Sequence, residues 1–307
     1  MGDIPYREPW VCFEASMLSG FVLQSFGTAV YTIVLITIYR FIKDKNTAPF
    51  YRVYFYIGVV DVIHSLALIW MNFILSAVHG DLFTIPTYIC SVLTCFCYNV
   101  NMIGNGLMAL NRYSATFNTH AKHFSKFRTN LYLVITFVVA AIGTIPAIIR
   151  EKTFKFENGD WTYTIEPEFL FKTQRAIILS LMILYFVSAT TFTILAYKRI
   201  SQFIHMDKYH KSDHTLLFFV GAHIFFHFWM LIYEVCELQA LESPVWNFFH
   251  RYYFVAFYII TVSNGFFIVA TTAKVKRAVF KTIKTSFGLG KISTTSQVQQ
   301  IFSTPVY

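Results

Sequence analysis

Three polar side chains stand inside long apolar runs, where each costs free energy and so needs a reason: Asp61, Asn105 and Asn264. Asp61 lies nine residues beyond Arg52, Asn264 ten before Lys274 and Asn105 seven before Arg112. At about 1.5 Å per helical residue, Asp61 and Asn264 sit roughly 13–15 Å from those basic residues, and Asn105 a little nearer. A carboxylate only accepts hydrogen bonds, whereas an amide both donates and accepts. Three such groups at one depth can close an interior hydrogen-bonded cluster, with or without water or a cation. Such a cluster either packs helices as a static network or works as a movable interior polar switch; the second is the expectation. Other reactive residue types carry less. His223 and His227 are four residues apart, a spacing that suits zinc, but no Glu adjoins the first and no third ligand is evident. No metal site is expected there. No phosphate-cradling glycine loop, nucleophile elbow or metalloprotease motif occurs, so neither enzymatic chemistry nor a cofactor is expected.

The elements that must position these residues follow from composition. The chain has 307 residues, 56% hydrophobic and 19% aromatic, with 13% charged. Soluble domains carry about 25% charged residues, so a water-facing surface cannot be built here. A bilayer core of roughly 30 Å takes a helix of about 20 apolar residues. Seven such stretches are predicted: Met17–Tyr39, Tyr54–Val78, Thr87–Leu110, Leu131–Ile149, Ala176–Tyr197, Leu216–Val235 and Phe248–Val269. Lipid offers no partner to backbone N–H and C=O groups, so these are helices. A β-barrel would need alternating polar and apolar positions, and Leu216–Phe219 and Ile224–Trp229 do not alternate. The expected fold is an all-α membrane protein, a seven-transmembrane helix bundle.

Basic residues give the orientation. The segments Arg40–Arg52, Arg112–Asn130, Lys198–Asp213 and the tail from Lys274 hold 18 of the 25 Lys and Arg. Lys and Arg are retained on the cytoplasmic face, so the N-terminus is expected outside and the C-terminus inside. The net charge of +9 belongs to this asymmetry and to anionic inner-leaflet lipid rather than to nucleic acid. Residues 1–16 are a polar extracellular segment without the marks of a cleaved signal peptide, so the first helix is expected to act as an uncleaved anchor. Residues 17–272 form the membrane domain. Residues 273–307 form a cytoplasmic segment in which Val275, Val279, Ile283 and Phe287 recur every four residues among Lys and Arg, a basic amphipathic eighth helix suited to the inner leaflet. There is no Asn-x-Ser/Thr sequon and no internal repeat. Cys12, Cys90 and Cys236 lie near the outer edge, where one pair can bridge, and spacing does not choose which.

Asn111-Arg112-Tyr113 at the end of the third span resembles the Asp/Glu-Arg-Tyr motif of rhodopsin-like receptors, with the acid replaced by Asn. The resemblance implies that Arg112 and Tyr113 couple to a heterotrimeric G protein. Asn264-Gly265-Phe266-Phe267-Ile268 stands where that family has Asn-Pro-x-x-Tyr, the sixth span lacks the family's proline, and the 150–175 loop lacks its disulfide cysteine. With these departures, Phe50-Tyr51-Arg52 leading through Tyr54–Asp61, and Gly104–Tyr113, the chain resembles nematode serpentine chemoreceptors of the Srv or Srg classes. That likeness implies sensing of an environmental or pheromone chemical at the plasma membrane of a sensory neuron.

The third span carries no acid between Cys90 and Leu110 to pair an amine ligand, and the seventh no Lys to hold retinal. A small, uncharged, partly apolar ligand is expected, with Tyr98, Asn101, Trp229, Glu234 and Tyr258 as candidate pocket residues. The rival class is a seven-helix channel or transporter, which usually shows internal repeats or a path of interior charges.

Overall fold

The computed structural model describes residues 10–42, 49–74, 84–117, 124–157, 160–203, 211–238 and 244–286. Eight helices follow in chain order: α1 (Trp10–Ile42), α2 (Pro49–Ile69), α3 (Thr84–Thr116), α4 (Lys126–Ile149), α5 (Glu168–Phe203), α6 (Lys211–Leu238), α7 (Pro244–Thr271) and α8 (Ala273–Ser286). Helix α2 continues as a π-helical turn, Trp70–Ile74. The end of the second expected span, beyond Ile74, lies outside the described residues. Each of the other six expected spans falls within one helix, and most helices run a turn or more past it. A helix can continue because its backbone bonds stay internal whether lipid or headgroup surrounds it. One result is that α1 begins at Trp10, inside the segment read as an extracellular tail.

Four helices carry, among the described residues, an unbroken apolar stretch long enough to cross a bilayer: Leu18–Ile42, Tyr51–Ile69, Lys126–Ile149 and Glu168–Arg199. Helix α3 is more polar for a structural reason. It packs against α2, α4 and α5 at the centre of the bundle and buries Asn99, Asn101 and Asn105. The periphery is the reverse. Leu18, Val22, Phe26, Val134, Val138, Ile142, Leu184 and Val187 all face outward. Polar groups inside and apolar groups outside is the arrangement lipid imposes, since an interior polar group can find a protein partner there and an exterior one cannot.

The connection between α4 and α5 adds something composition did not suggest. It carries an antiparallel hairpin, β1 (Glu151–Glu157) and β2 (Asp160–Glu166), in register from Glu151 opposite Glu166 to Glu157 opposite Asp160. Helix α8 lies at the other end of the bundle, turned through 101° from α7. These two features name the ends: the hairpin end and the α8 end. The apolar face of α8 does not simply meet lipid. Val275 and Val279 are buried with Val34, Ile38, Phe41 and Ile268 of α1 and α7. Thr282 Oγ1 accepts from Arg40 Nη1 at 3.4 Å, while Lys276, Arg277, Lys281 and Lys284 stay exposed. Phe287 lies outside the described residues.

Candidate functional site

The structure brings Asp61, Asn105 and Asn264 together in one buried cluster and adds partners to it. Asp61, 0% exposed, accepts at Oδ2 from the Tyr31 hydroxyl (3.0 Å) and Asn264 Nδ2 (3.1 Å), and at Oδ1 from Asn101 Nδ2 (2.7 Å). Asn105 Nδ2 donates to Asn101 Oδ1 at 2.8 Å, and Asn264 Nδ2 reaches Asn105 Oδ1 at 3.4 Å. The Tyr54 hydroxyl donates to the Asn264 backbone carbonyl. Four helices, α1, α2, α3 and α7, are therefore tied at a single carboxylate. The packing around it is close. A Cβ on Gly265 would lie 2.5 Å from the Tyr31 ring, and one on Gly104 2.5 Å from Ile57.

A second layer lies toward the hairpin end. Gln24 Nε2 donates to the Ser65 carbonyl (3.2 Å), and the Thr28 and Ser65 hydroxyls meet at 2.5 Å. On the far side of the bundle, Ser263 Oγ meets His223 Nε2 at 2.8 Å, so the residue beside Asn264 joins α7 to α6. His223 and His227 do share a face, with rings 5.8 Å apart, but they engage Ser263 and the His223 carbonyl.

The five candidate pocket residues face different neighbourhoods. Tyr98 is buried in the core among α3, α5 and α7, stacked on Phe257 at 4.9 Å and donating to Met182 Sδ at 3.4 Å. Asn101 belongs to the Asp61 cluster. Trp229 stacks on Phe248 at 5.5 Å. Glu234, 1% exposed, forms an ion pair of 2.7 Å with Arg175, joining α6 to α5. Tyr258 faces α1, its hydroxyl donating to the Leu23 carbonyl at 2.7 Å. Sequence reasoning passed over Tyr31, Tyr54 and Arg175. The tyrosines are two among 19 in an aromatic chain, so nothing marked them. The Arg175–Glu234 pair had a signal, a base and an acid at the same end of neighbouring spans.

No family model and no curated protein sequence matches the chain. Among solved structures it is similar to squid rhodopsin, with a TM-score of 0.65 at 13% identity, covering 100% of this chain and 97% of that one. The chain has the rhodopsin fold. In that fold Asn111-Arg112-Tyr113 lies in the last turns of α3, at the α8 end. Asn111 is buried, and its carbonyl accepts from Ser114 Oγ at 2.9 Å. Tyr113 packs between Phe117 (4.7 Å) and Phe192 of α5 (5.3 Å). The Arg112 side chain lies outside the described residues. At the hairpin end, Cys90 and Cys236 are free thiols, and the Cys12 side chain lies outside the described ones. The Cys90–Cys236 pairing is therefore not made, and a bridge through Cys12 lies outside the described residues. Cys95 and Cys97 are buried in the middle of α3.

Proposed function

We propose that the chain is a chemosensory G-protein-coupled receptor of the nematode serpentine kind, near the Srv or Srg classes, that binds a small environmental or pheromone ligand. It resides in the plasma membrane of a sensory cell, and its cilia are the natural place. Residues 1–16 are extracellular, residues 17–272 form the receptor domain, and residues 273–307 lie on the cytoplasmic face. The observation that carries this reading is that Asn111-Arg112-Tyr113 closes α3 in a rhodopsin fold, one end of a helix whose middle holds Asn101 and Asn105 of the Asp61 cluster. A ligand acts only through a difference in its affinity for two states. A buried carboxylate with three donors from three helices gives two such states a place to differ, because any shift of α7 or α3 must break or remake its bonds. Arg112 and Tyr113 then form the G-protein contact with the 198–213 segment and α8. Tyr98, Trp229 and Glu234 remain the pocket side of the molecule, toward the hairpin.

Screening neutral volatile and polar small molecules in cells carrying a calcium or cyclic-nucleotide reporter and a promiscuous Gα tests the reading. The expected result is a compound-specific response that Arg112→Ala removes while surface expression is unchanged. An equal response from Arg112→Ala would remove Arg112 from the coupling role. A current that persists without any G protein would make the chain a channel.

A further inference from the structure

Three buried imidazoles keep ring nitrogens that no described residue uses: His223 at Nδ1, and, with less exposure still, His64 and His227. His64, 1% exposed, has neither ring nitrogen bonded, and His227, 2% exposed, has Nε2 unbonded. Native proteins rarely leave buried polar atoms in that condition unless water or a ligand completes them. The chemistry offered at His227 is fixed. Its Nδ1 lies 2.7 Å from the His223 carbonyl, which only accepts, so Nδ1 carries the proton and the neutral ring turns a bare lone pair outward at Nε2. His64 offers one donor and one acceptor.

The His64 and His227 rings belong to the same level of the bundle, on the hairpin side of the Asp61 cluster. His64 stands edge-on to Phe257 at 4.8 Å and 6.4 Å from Tyr98. Tyr98 reaches Met182 on α5, and Tyr185, one turn further on, has its ring 4.4 Å from His227. A belt of aromatic faces and polar atoms thus runs from α2 through α3 and α5 to α6. Charged partners are committed elsewhere: Asp61 to Tyr31, Asn101 and Asn264, and Glu234 to Arg175.

We propose that this belt seats an uncharged ligand with an apolar body and a hydroxyl or amide head, whose O–H or N–H donates to His227 Nε2 and whose oxygen takes the His64 N–H. The proposal rests on the receptor reading and names the ligand class for it. The seat adjoins the cluster on two sides. His64 is one turn from Asp61, and His227 is one turn from His223, whose Nε2 meets Ser263 beside Asn264. A guest that pulls on either imidazole moves a neighbour of the Asp61 cluster.

The test uses the full chain in lipid nanodiscs, without G protein, and follows thermal unfolding against four probes that share one phenyl body. Phenylethanol and phenylacetamide carry neutral heads, phenethylamine a cation and phenylacetate an anion. The neutral probes should raise the unfolding midpoint saturably, and the charged ones should not. His227→Phe keeps the ring volume and removes the acceptor, so the apparent affinity should fall about tenfold, the ratio that loss of one hydrogen bond of about 1.4 kcal/mol gives. His64→Phe should act in the same direction and serves if the first variant does not fold. No rise with either neutral probe, equal rises with charged probes, or unchanged affinity in the foldable variant overturns the proposal. Loss of coupling in Arg112→Ala would be unaffected by any of these results, so the two readings fail separately.

Discussion

A carboxylate that only accepts imposes a direction on every amide around it. Asp61 takes the NH₂ of Asn101, which turns the Asn101 carbonyl toward Asn105; Asn105 donates there and shows its own carbonyl to Asn264, whose NH₂ also faces Asp61. Asp61→Asn puts an NH₂ where an acceptor is needed, so at least one of the three donors meets another donor. Leaving one buried polar group unsatisfied costs about 1–3 kcal/mol. Tyr31→Phe removes one donor to the carboxylate and leaves the other two bonds intact, a loss of about 1.5–3 kcal/mol. Asp61→Asn, by contrast, weakens all three and sets one donor against another. Thermal unfolding of purified protein should therefore rank Asp61→Asn as more damaging than Tyr31→Phe, and the agonist response of Asp61→Asn should fall further than its surface expression. Equal loss of response and expression would leave the cluster a packing device. The sequence made this core legible through depth alone, since Asp61, Asn105 and Asn264 lie at similar depths in three spans. Depth does not tell which face of a helix a residue is on, and so Asn101, one turn from Asn105, was assigned to the ligand rather than to the carboxylate.

At the scale of elements, the departure of α7 from the rhodopsin-like motif has a packing explanation. Where the family has proline the chain has Gly265, and the Tyr31 ring of α1 lies on it. Close approach of two helices needs a small residue at the contact. The Tyr31 ring cannot retreat freely, because its hydroxyl is held by Asp61 and it is buried against Tyr54. Gly265→Ala should therefore cost about 1–3 kcal/mol, the usual range for an overpacked site, although alanine is the better helix former. Gly221→Ala is the control, for its added Cβ would meet nothing within 4 Å. A Gly265→Ala protein as stable as the control would mean that α1 and α7 are looser here than the packing indicates. Elements were unevenly legible. Long apolar runs and the four-residue repeat of α8 announce themselves, because burial and lipid act on every turn. The hairpin was overlooked because a charged 150–175 loop reads as solvent-exposed by composition, although Asn158-Gly159 is a strong two-residue turn signal between two strand-forming runs.

On the scale of the whole molecule, the fold gathers charges that are scattered in sequence. Arg40, Arg52, Lys126, Arg128, Lys198 and Arg199 fall at the α8 end, beside the exposed Lys276, Arg277, Lys281 and Lys284. At the hairpin end, among the described residues, two bases pair with acids: Lys172 with Glu168 at 2.8 Å and Arg175 with Glu234 at 2.7 Å. Retention of Lys and Arg on the cytoplasmic side then places the α8 end in the cytosol as an expectation, and with it Arg112. One substitution tests this. Asp160→Thr completes an Asn-x-Thr sequon at Asn158, in a chain that has none of its own. Glycan transfer happens only on the lumenal side, so the variant expressed in eukaryotic cells should gain a glycosidase-sensitive mass, and an equivalent sequon within residues 204–210 should not. The reverse result, a glycan at 204–210 and none at Asn158, would turn the bundle over. Arg112 would then face away from any G protein, and the coupling role would fall even with the fold intact.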